Sequence, residues 1–111
     1  MVLVDTSIWI DHLRAGNQRL EALLFDTEVA CHPYIIGELA CGNLQNRELI
    51  LQLLKSLPQA LTATEEEVLY FMEQQHLMGQ GLGYIDCHLL TSTVLTPSTL
   101  LWTRDKKLIK A

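Results

Sequence analysis

Apolar positions in this chain fall into two kinds of pattern, short unbroken runs and longer stretches of helical period. Val2 to Val4 is a β-branched and apolar run suited to a buried parallel strand, closed by Asp5. Thr6 or Ser7 then caps a helix over 7–14 that ends near Gly16, and a second amphipathic stretch covers 19–25. Residues 28–31 read as strand. Pro33 suits the first turn of a helix running to about 41, where Gly42 and Asn43 stop it, and a further apolar helix covers 48–57 before Pro58. Thr64 and Glu67 form a capping box that predicts a helix over 65–78, with Val68, Phe71, Met72 and Gln75 on one face. Gly79, Gly81 and Gly83 end it. A helix over 84–95 follows, Pro97 breaks the chain, and 99–103 reads as another buried strand before a basic tail from Arg104.

Short strands that alternate with helices predict an α/β domain with a central, mainly parallel sheet flanked by helices. The 111 residues match the usual size of one domain and show no repeat or linker, so 1–111 is expected to form a single unit.

Composition narrows the function. A hydrophobic share of 49% with 19% charged residues describes a compact globule rather than a disordered chain. The formal charge of −5 argues against gripping nucleic acid chiefly through a basic surface, and leaves room for an acidic site that recruits metal ions. Cys31, Cys41 and Cys87 are odd in number and widely spaced, a poor disulfide framework that fits a reducing cytosol. The start lacks a basic segment and a cleavable apolar stretch, and no window approaches the roughly 20 apolar residues that span a bilayer. A cytoplasmic protein without a membrane partner is expected.

Four acids interrupt apolar sequence: Asp5 after 2–4, Glu38 within 35–40, Asp86 between Ile85 and Leu89, and Asp105 after 100–103. Burying a carboxylate is costly unless it is paired or bound to metal. Helical spacing puts Glu38 on a face with Tyr34, Ile35 and Cys41, and Asp86 on one with Leu89, Leu90 and Thr93, so both are expected to point toward the core. Asp5 and Asp105 fall at or just beyond the carboxyl ends of two strands, where open parallel sheets place their ligand crevice. Structural readings stand beside these. Asp5 and Asp105 suit turn or N-cap positions, Asp86 complements a helix N-terminus, and Glu38 can reach solvent from the edge of its face.

One cause that accounts for all four is a hard divalent cation, because carboxylate oxygens without Cys or His suit Mg²⁺ or Mn²⁺. Clustered carboxylates repel one another, and a metal relieves that repulsion. Such a metal lowers the pKa of bound water and stabilises the leaving oxygen of a phosphodiester, which points to hydrolysis of nucleic acid.

The opening Val4-Asp5-Thr6-Ser7, the central Gly37-Glu38-Leu39, the later Gly83-Tyr84-Ile85-Asp86 and the closing Trp102-Thr103-Arg104-Asp105 resemble, in order and spacing over nearly the whole chain, the PIN-domain ribonucleases, and among them the VapC-type toxins. The resemblance implies a PIN-like three-layer α/β fold. It further implies a Mg²⁺- or Mn²⁺-dependent endoribonuclease that acts on RNA, forms a homodimer and is inhibited by a small cognate antitoxin. Carried over by motif, Asp5, Glu38, Asp86 and Asp105 are the metal-binding acids, and the hydroxyls of Thr6 and Thr103 orient acids or water. The family continues through another helix and an edge strand after its last acid. An incomplete sheet edge is therefore expected here.

Arg104, Lys106, Lys107 and Lys110 hold half of the eight basic residues beside Asp105, placed either to steer RNA phosphates or to form a solvated basic tail. Trp9 and Trp102 fit core packing better than base stacking. The adjacent pairs Cys31-His32 and Cys87-His88 point apart and make poor zinc ligands, and the glycines at 79–83 lack the Lys-Ser/Thr of a P-loop. Two rivals remain. A phosphatase with a nucleophilic Asp5 would need a second acid where Ser7 stands. A catalytically silent PIN-like binding or dimerisation module would share the fold without the chemistry.

Overall fold

The computed structural model describes residues 1–110, with side chains through Ile109. Its elements run β1 (Val2–Val4), α1 (Thr6–Ala15), α2 (Gln18–Phe25), β2 (Val29–Ala30), α3 (Pro33–Ala40), α4 (Arg47–Ser56), α5 (Glu65–Gln74), α6 (Tyr84–Leu95), β3 (Leu100–Trp102) and α7 (Lys106–Lys110). The three strands form one sheet in the order β2-β1-β3, and both pairings are parallel. Helices flank it, giving the PIN-like α/β architecture.

β1 is central and its side chains decide the core. Leu3 and Val4 are fully buried, and each such side chain stabilises the fold by about 1.5–3 kcal/mol relative to exposure. Around them gather Ile8 and Trp9 of α1, Leu20 of α2, Ile35 and Leu39 of α3, Leu54 of α4 and Leu89 of α6. A smaller cluster of Ala63, Val68, Leu77 and Cys87 fills the space between α5 and α6. α6 contributes to both, with Leu89 in one and Cys87 in the other, which is why apolar and small residues surround it on all sides.

The chain leaves β1 for β2 on one side and later returns through β3 on the other. That reversal opens a crevice at the carboxyl ends of β1 and β3, the place where open parallel sheets bind ligands. The register pairs Val4 with Trp102, so Asp5 and Thr103 are the next residues out on neighbouring strands.

Several boundaries differ from the sequence reading. α1 starts one residue early, at Thr6, because Asp5 rather than Thr6 or Ser7 is its N-cap. The strand expected over 28–31 shortens to Val29–Ala30, with Cys31 making only an isolated bridge to Gln59. α5 stops at Gln74, well before 78. There His76 takes a left-handed φ of 52°, Leu77 N–H donates to Met72 C=O at 3.0 Å, and the buried Leu77 closes the end. The glycines at 79–83 come after the helix has already ended. β3 was expected to be buried, yet Leu100 is exposed and Leu101 and Trp102 are half-buried; among the described residues β3 is an edge strand. The basic tail begins α7, a short helix capped by Asp105 through Lys107 N–H at 2.9 Å. Among the described residues no helix is long and apolar enough to cross a membrane.

Candidate active site at the sheet edge

Asp5 is the anchor of the crevice. It is buried, 7% exposed, directly after β1. Its Oδ1 accepts Thr6 N–H at 2.8 Å, and its Oδ2 accepts the hydroxyls of Thr103 at 2.7 Å and Ser7 at 3.2 Å. Three donors fix the orientation of the carboxylate. Each carboxylate oxygen has two lone-pair sites, so Oδ2 is filled and Oδ1 keeps one direction free.

From Asp5 hydrogen bonds run both ways. On one side Thr6 at the start of α1 donates its hydroxyl to Glu38 Oε1 at 2.7 Å. On the other, Asp105 N–H donates to Thr103 Oγ1 at 3.0 Å, tying the acid three residues beyond β3 to the same hydroxyl that holds Asp5. Asp5, Thr6, Glu38, Thr103 and Asp105 thus form one connected line. Asp86 joins by charge rather than by hydrogen bond. Partial burial raises its pKa first, and the negative charges of Asp5 and Asp105 push the same way, while the Gly83 N–H bond opposes them.

Sequence reasoning erred on burial. Glu38 does not point into the core; it is exposed, because Ile35 and Leu39 form the buried stripe of α3 while Glu38 lies along its border with half-buried Tyr34 and exposed Cys41. Asp86 is half-buried and Asp105 exposed. The structural readings are also present in the geometry. Asp5 caps α1 and Asp105 caps α7. Asp86 Oδ2 accepts Gly83 N–H at 3.1 Å, the N3-to-cap half of a capping box, glycine having no side chain for the other half. Helix N-termini favour carboxylates, so these bonds lower the cost of gathering negative charge and do not compete with a ligand role.

One residue of the cluster was missed. Ser7 reads in the sequence as a possible cap and as the last residue of the Val4-Asp5-Thr6-Ser7 motif, with no site role of its own, but its hydroxyl braces Asp5 and accepts Arg104 N–H at 3.4 Å. An Asp followed by two hydroxyl residues at a strand end was the available signal. Trp9 packs in the core as expected, whereas Trp102 is half-buried under the guanidinium of Arg19, 4.9 Å from the ring centroid. Arg104 pairs with Asp11, which also receives Arg14, and Lys107 lies against Gly81.

Among the described residues, no group of three or more acid, His or Cys side chains is placed to close on an ion as it stands. The donor set nevertheless fits a hard divalent cation: all four acids present oxygen, no sulfur or imidazole is among them, Asp5 retains a free lone pair, and the mutual repulsion felt at Asp86 is of the kind a cation relieves.

A parallel sheet with acids linked across its carboxyl edge at the strand reversal defines a PIN-type α/β protein. No family model matches the chain. Over 108 residues it is 49% identical to Ribonuclease VapC32 of Mycobacterium tuberculosis, strain CDC 1551 / Oshkosh, and equally to that of strain ATCC 25618 / H37Rv, covering 97% of this chain and 87% of the relative. The chain belongs to the VapC family of PIN-domain ribonucleases.

Proposed function

We propose that this chain is a Mg²⁺- or Mn²⁺-dependent endoribonuclease and the toxin of a type II toxin-antitoxin pair, a single PIN domain acting in the cytoplasm. The observation that carries the reading is the hydrogen-bonded line from Glu38 through Thr6, Asp5 and Thr103 to Asp105, with Asp86 in electrostatic contact. The ribonuclease name of its relatives supports the same substrate.

Asp5, Glu38, Asp86 and Asp105 would hold the ion. When bound it supplies Lewis acidity, offsetting charge on the phosphodiester and making water acidic enough to react near neutral pH. The protein's part is orientation. Thr103 and Ser7 fix one Asp5 oxygen, Thr6 aims the Glu38 carboxylate, and the N-termini of α1, α6 and α7 favour the negative charge of Asp5, Asp86 and Asp105 beside them. Hydrolysis in which water adds to phosphorus as the 3′ oxygen departs leaves 5′-phosphate and 3′-hydroxyl ends. Single-stranded or looped RNA suits an open crevice, since unstacked bases are readable and the duplex major groove is closed to side chains.

The toxin reading brings partners. A small antitoxin would place an Arg-bearing segment among the acids, whose carboxylates match the guanidinium fork. A cleft of about 260 Å³ lined by Trp9, His12, Leu13, Leu24 and Leu53 adjoins one of about 530 Å³ that reaches Glu38, with Leu13 and Ile50 lining both. A segment with apolar anchors followed by Arg fits that continuous path. A homodimer is the expected free state, checked by light scattering over a range of concentrations. A monomer at high concentration would contradict it.

A catalytically silent PIN-like module is the second reading. Its favouring observation is that no three ligands among the described residues close on an ion as they stand. The two separate on cleavage of single-stranded RNA by the purified, antitoxin-free chain. The enzyme reading predicts cleavage with Mn²⁺, none in excess EDTA, and 5′-phosphate ends. Full activity in EDTA, or none with either metal, would overturn it.

A further inference from the structure

Two acids of the site sit on different helices, which meet in the main core through Ile35 and Leu39 of α3 and Leu89 of α6. Glu38 sits on α3, which packs on α1 and α4, whereas Asp86 sits on α6, which packs on α5 and β3. A fully buried imidazole joins them. His32, 0% exposed, precedes α3, and its Nδ1 accepts Tyr34 N–H at 3.0 Å as the N-cap of that helix. The ring proton therefore lies on Nε2, which donates to the hydroxyl of Ser92 on α6 at 3.0 Å. Ser92 is also 0% exposed. The Tyr34 ring fills the adjoining space, edge-on to His32 at 5.1 Å and to His88 of α6 at 4.7 Å between centroids.

Capping alone does not account for a histidine here. Ser, Asn or Asp would satisfy Tyr34 N–H with less bulk, and none would span to α6. The imidazole serves two helices at once, with one nitrogen for each. Both groups are removed from water, so either one left unpaired is costly, and the pair selects one relative placement of α3 and α6.

We propose that His32 is a positioning residue of the active site: through Ser92 it locks α3 to α6 and so sets Glu38 against Asp86. This rests on the reading of the acids as a metal site given under Proposed function. His32 touches neither substrate nor ion, and its effect runs through the spacing of the two helices.

The two functions of the ring can be separated. In His32→Asn the amide oxygen takes the place of Nδ1, keeping the α3 cap and losing the reach to Ser92. In His32→Gln the amide nitrogen takes the place of Nε2, keeping the link and losing the cap. Ser92→Ala removes the link from the other side. Each variant is read twice, by the backbone amide resonances of Glu38 and Asp86 in the metal-free protein and by the Mn²⁺ concentration giving half the maximal rise in melting temperature. His32→Asn and Ser92→Ala should displace both amide signals and raise the half-saturating Mn²⁺ roughly tenfold, with the double variant no worse than the worse single one. His32→Gln should stay close to the parent in both. If Ser92→Ala does not fold, the contrast between Asn and Gln decides.

Unchanged amide signals and Mn²⁺ response in folded His32→Asn would overturn the proposal, as would His32→Gln behaving like His32→Asn, since the cap would then be the ring's whole role. A parent whose melting temperature ignores Mn²⁺ would overturn the metal reading instead. The amide signals would still decide whether His32 links Glu38 to Asp86.

Discussion

The hydroxyl of Thr103 donates to Asp5 Oδ2 at 2.7 Å, joining residues 98 apart in sequence across the carboxyl ends of β1 and β3. The parallel register that sets Val4 beside Trp102 brings them together, so packing of the strands and orientation of the acid have a single cause. Thr103→Val keeps the shape and deletes the donor. RNA cleavage should fall about 10–100-fold, as for residues that orient a ligand, and stability should drop by about 1–3 kcal/mol from the weakened hold on a buried carboxylate. Thr103→Ser should recover most of both. Cleavage rates and thermal melts of the three proteins check this.

Glu38 offers the opposite balance between stability and activity. It is exposed, and in Glu38→Gln the amide oxygen still accepts the Thr6 hydroxyl. Melting should change by no more than about 0.5 kcal/mol, the range of ordinary surface substitutions. Cleavage should fall by more than the roughly 100-fold upper range of purely orienting residues. Activity close to the parent's would remove Glu38 from the site.

Stability should depend on the protonation of His32. Burial first, and His88 second, lower its pKa from 6.5 to about 4 in the folded chain. Between those values the unfolded chain carries the extra proton, so stability is full above about pH 6.5 and is lost as pH falls toward 4. The slope from this group reaches about 1.4 kcal/mol per pH unit, and the whole window is worth on the order of 2–4 kcal/mol. Urea unfolding from pH 7.5 to 4.5 should show the decline, with a shallower slope in His32→Asn.

The cysteines should differ in reactivity. Burial raises the Cys31 thiol to about 11 and also raises that of Cys87, whereas Cys41 is exposed. At pH 8 a thiol reagent should label Cys41 quickly and the other two only on unfolding. Fast labelling of all three in the native protein would contradict the packing around β2 and α6.

Features with local chemical signals were legible in the sequence. The apolar triplet of β1, Pro33 opening α3, the Thr64 and Glu67 capping box and Pro97 before β3 each declare themselves within a few residues. The acids were found because each interrupts apolar sequence. Their burial was not legible, since it depends on which stripe of α3 meets the core, and Glu38 lies three positions from Ile35 and one from Leu39. The end of α5 was overshot because His76, not a glycine, takes the left-handed closing position. The bonds from His32 to Ser92 and from Thr103 to Asp5 span 60 and 98 positions, and only the assembled fold brings such partners together.

Under the proposed function, Asp5 and the acids linked to it hold a divalent ion. Asp5→Asn retains the N-cap of α1 and removes one charge from a group whose mutual repulsion is felt at Asp86. It also sets an NH₂ against the Thr103 and Ser7 hydroxyls that Oδ2 accepts, so the two effects oppose and metal-free stability does not decide the assignment. The decisive measurement is the rise in melting temperature at saturating Mn²⁺, parent and Asp5→Asn side by side. A clear rise in the parent that is lost in the variant is the predicted result. An equal rise in both, or none in the parent, would contradict it.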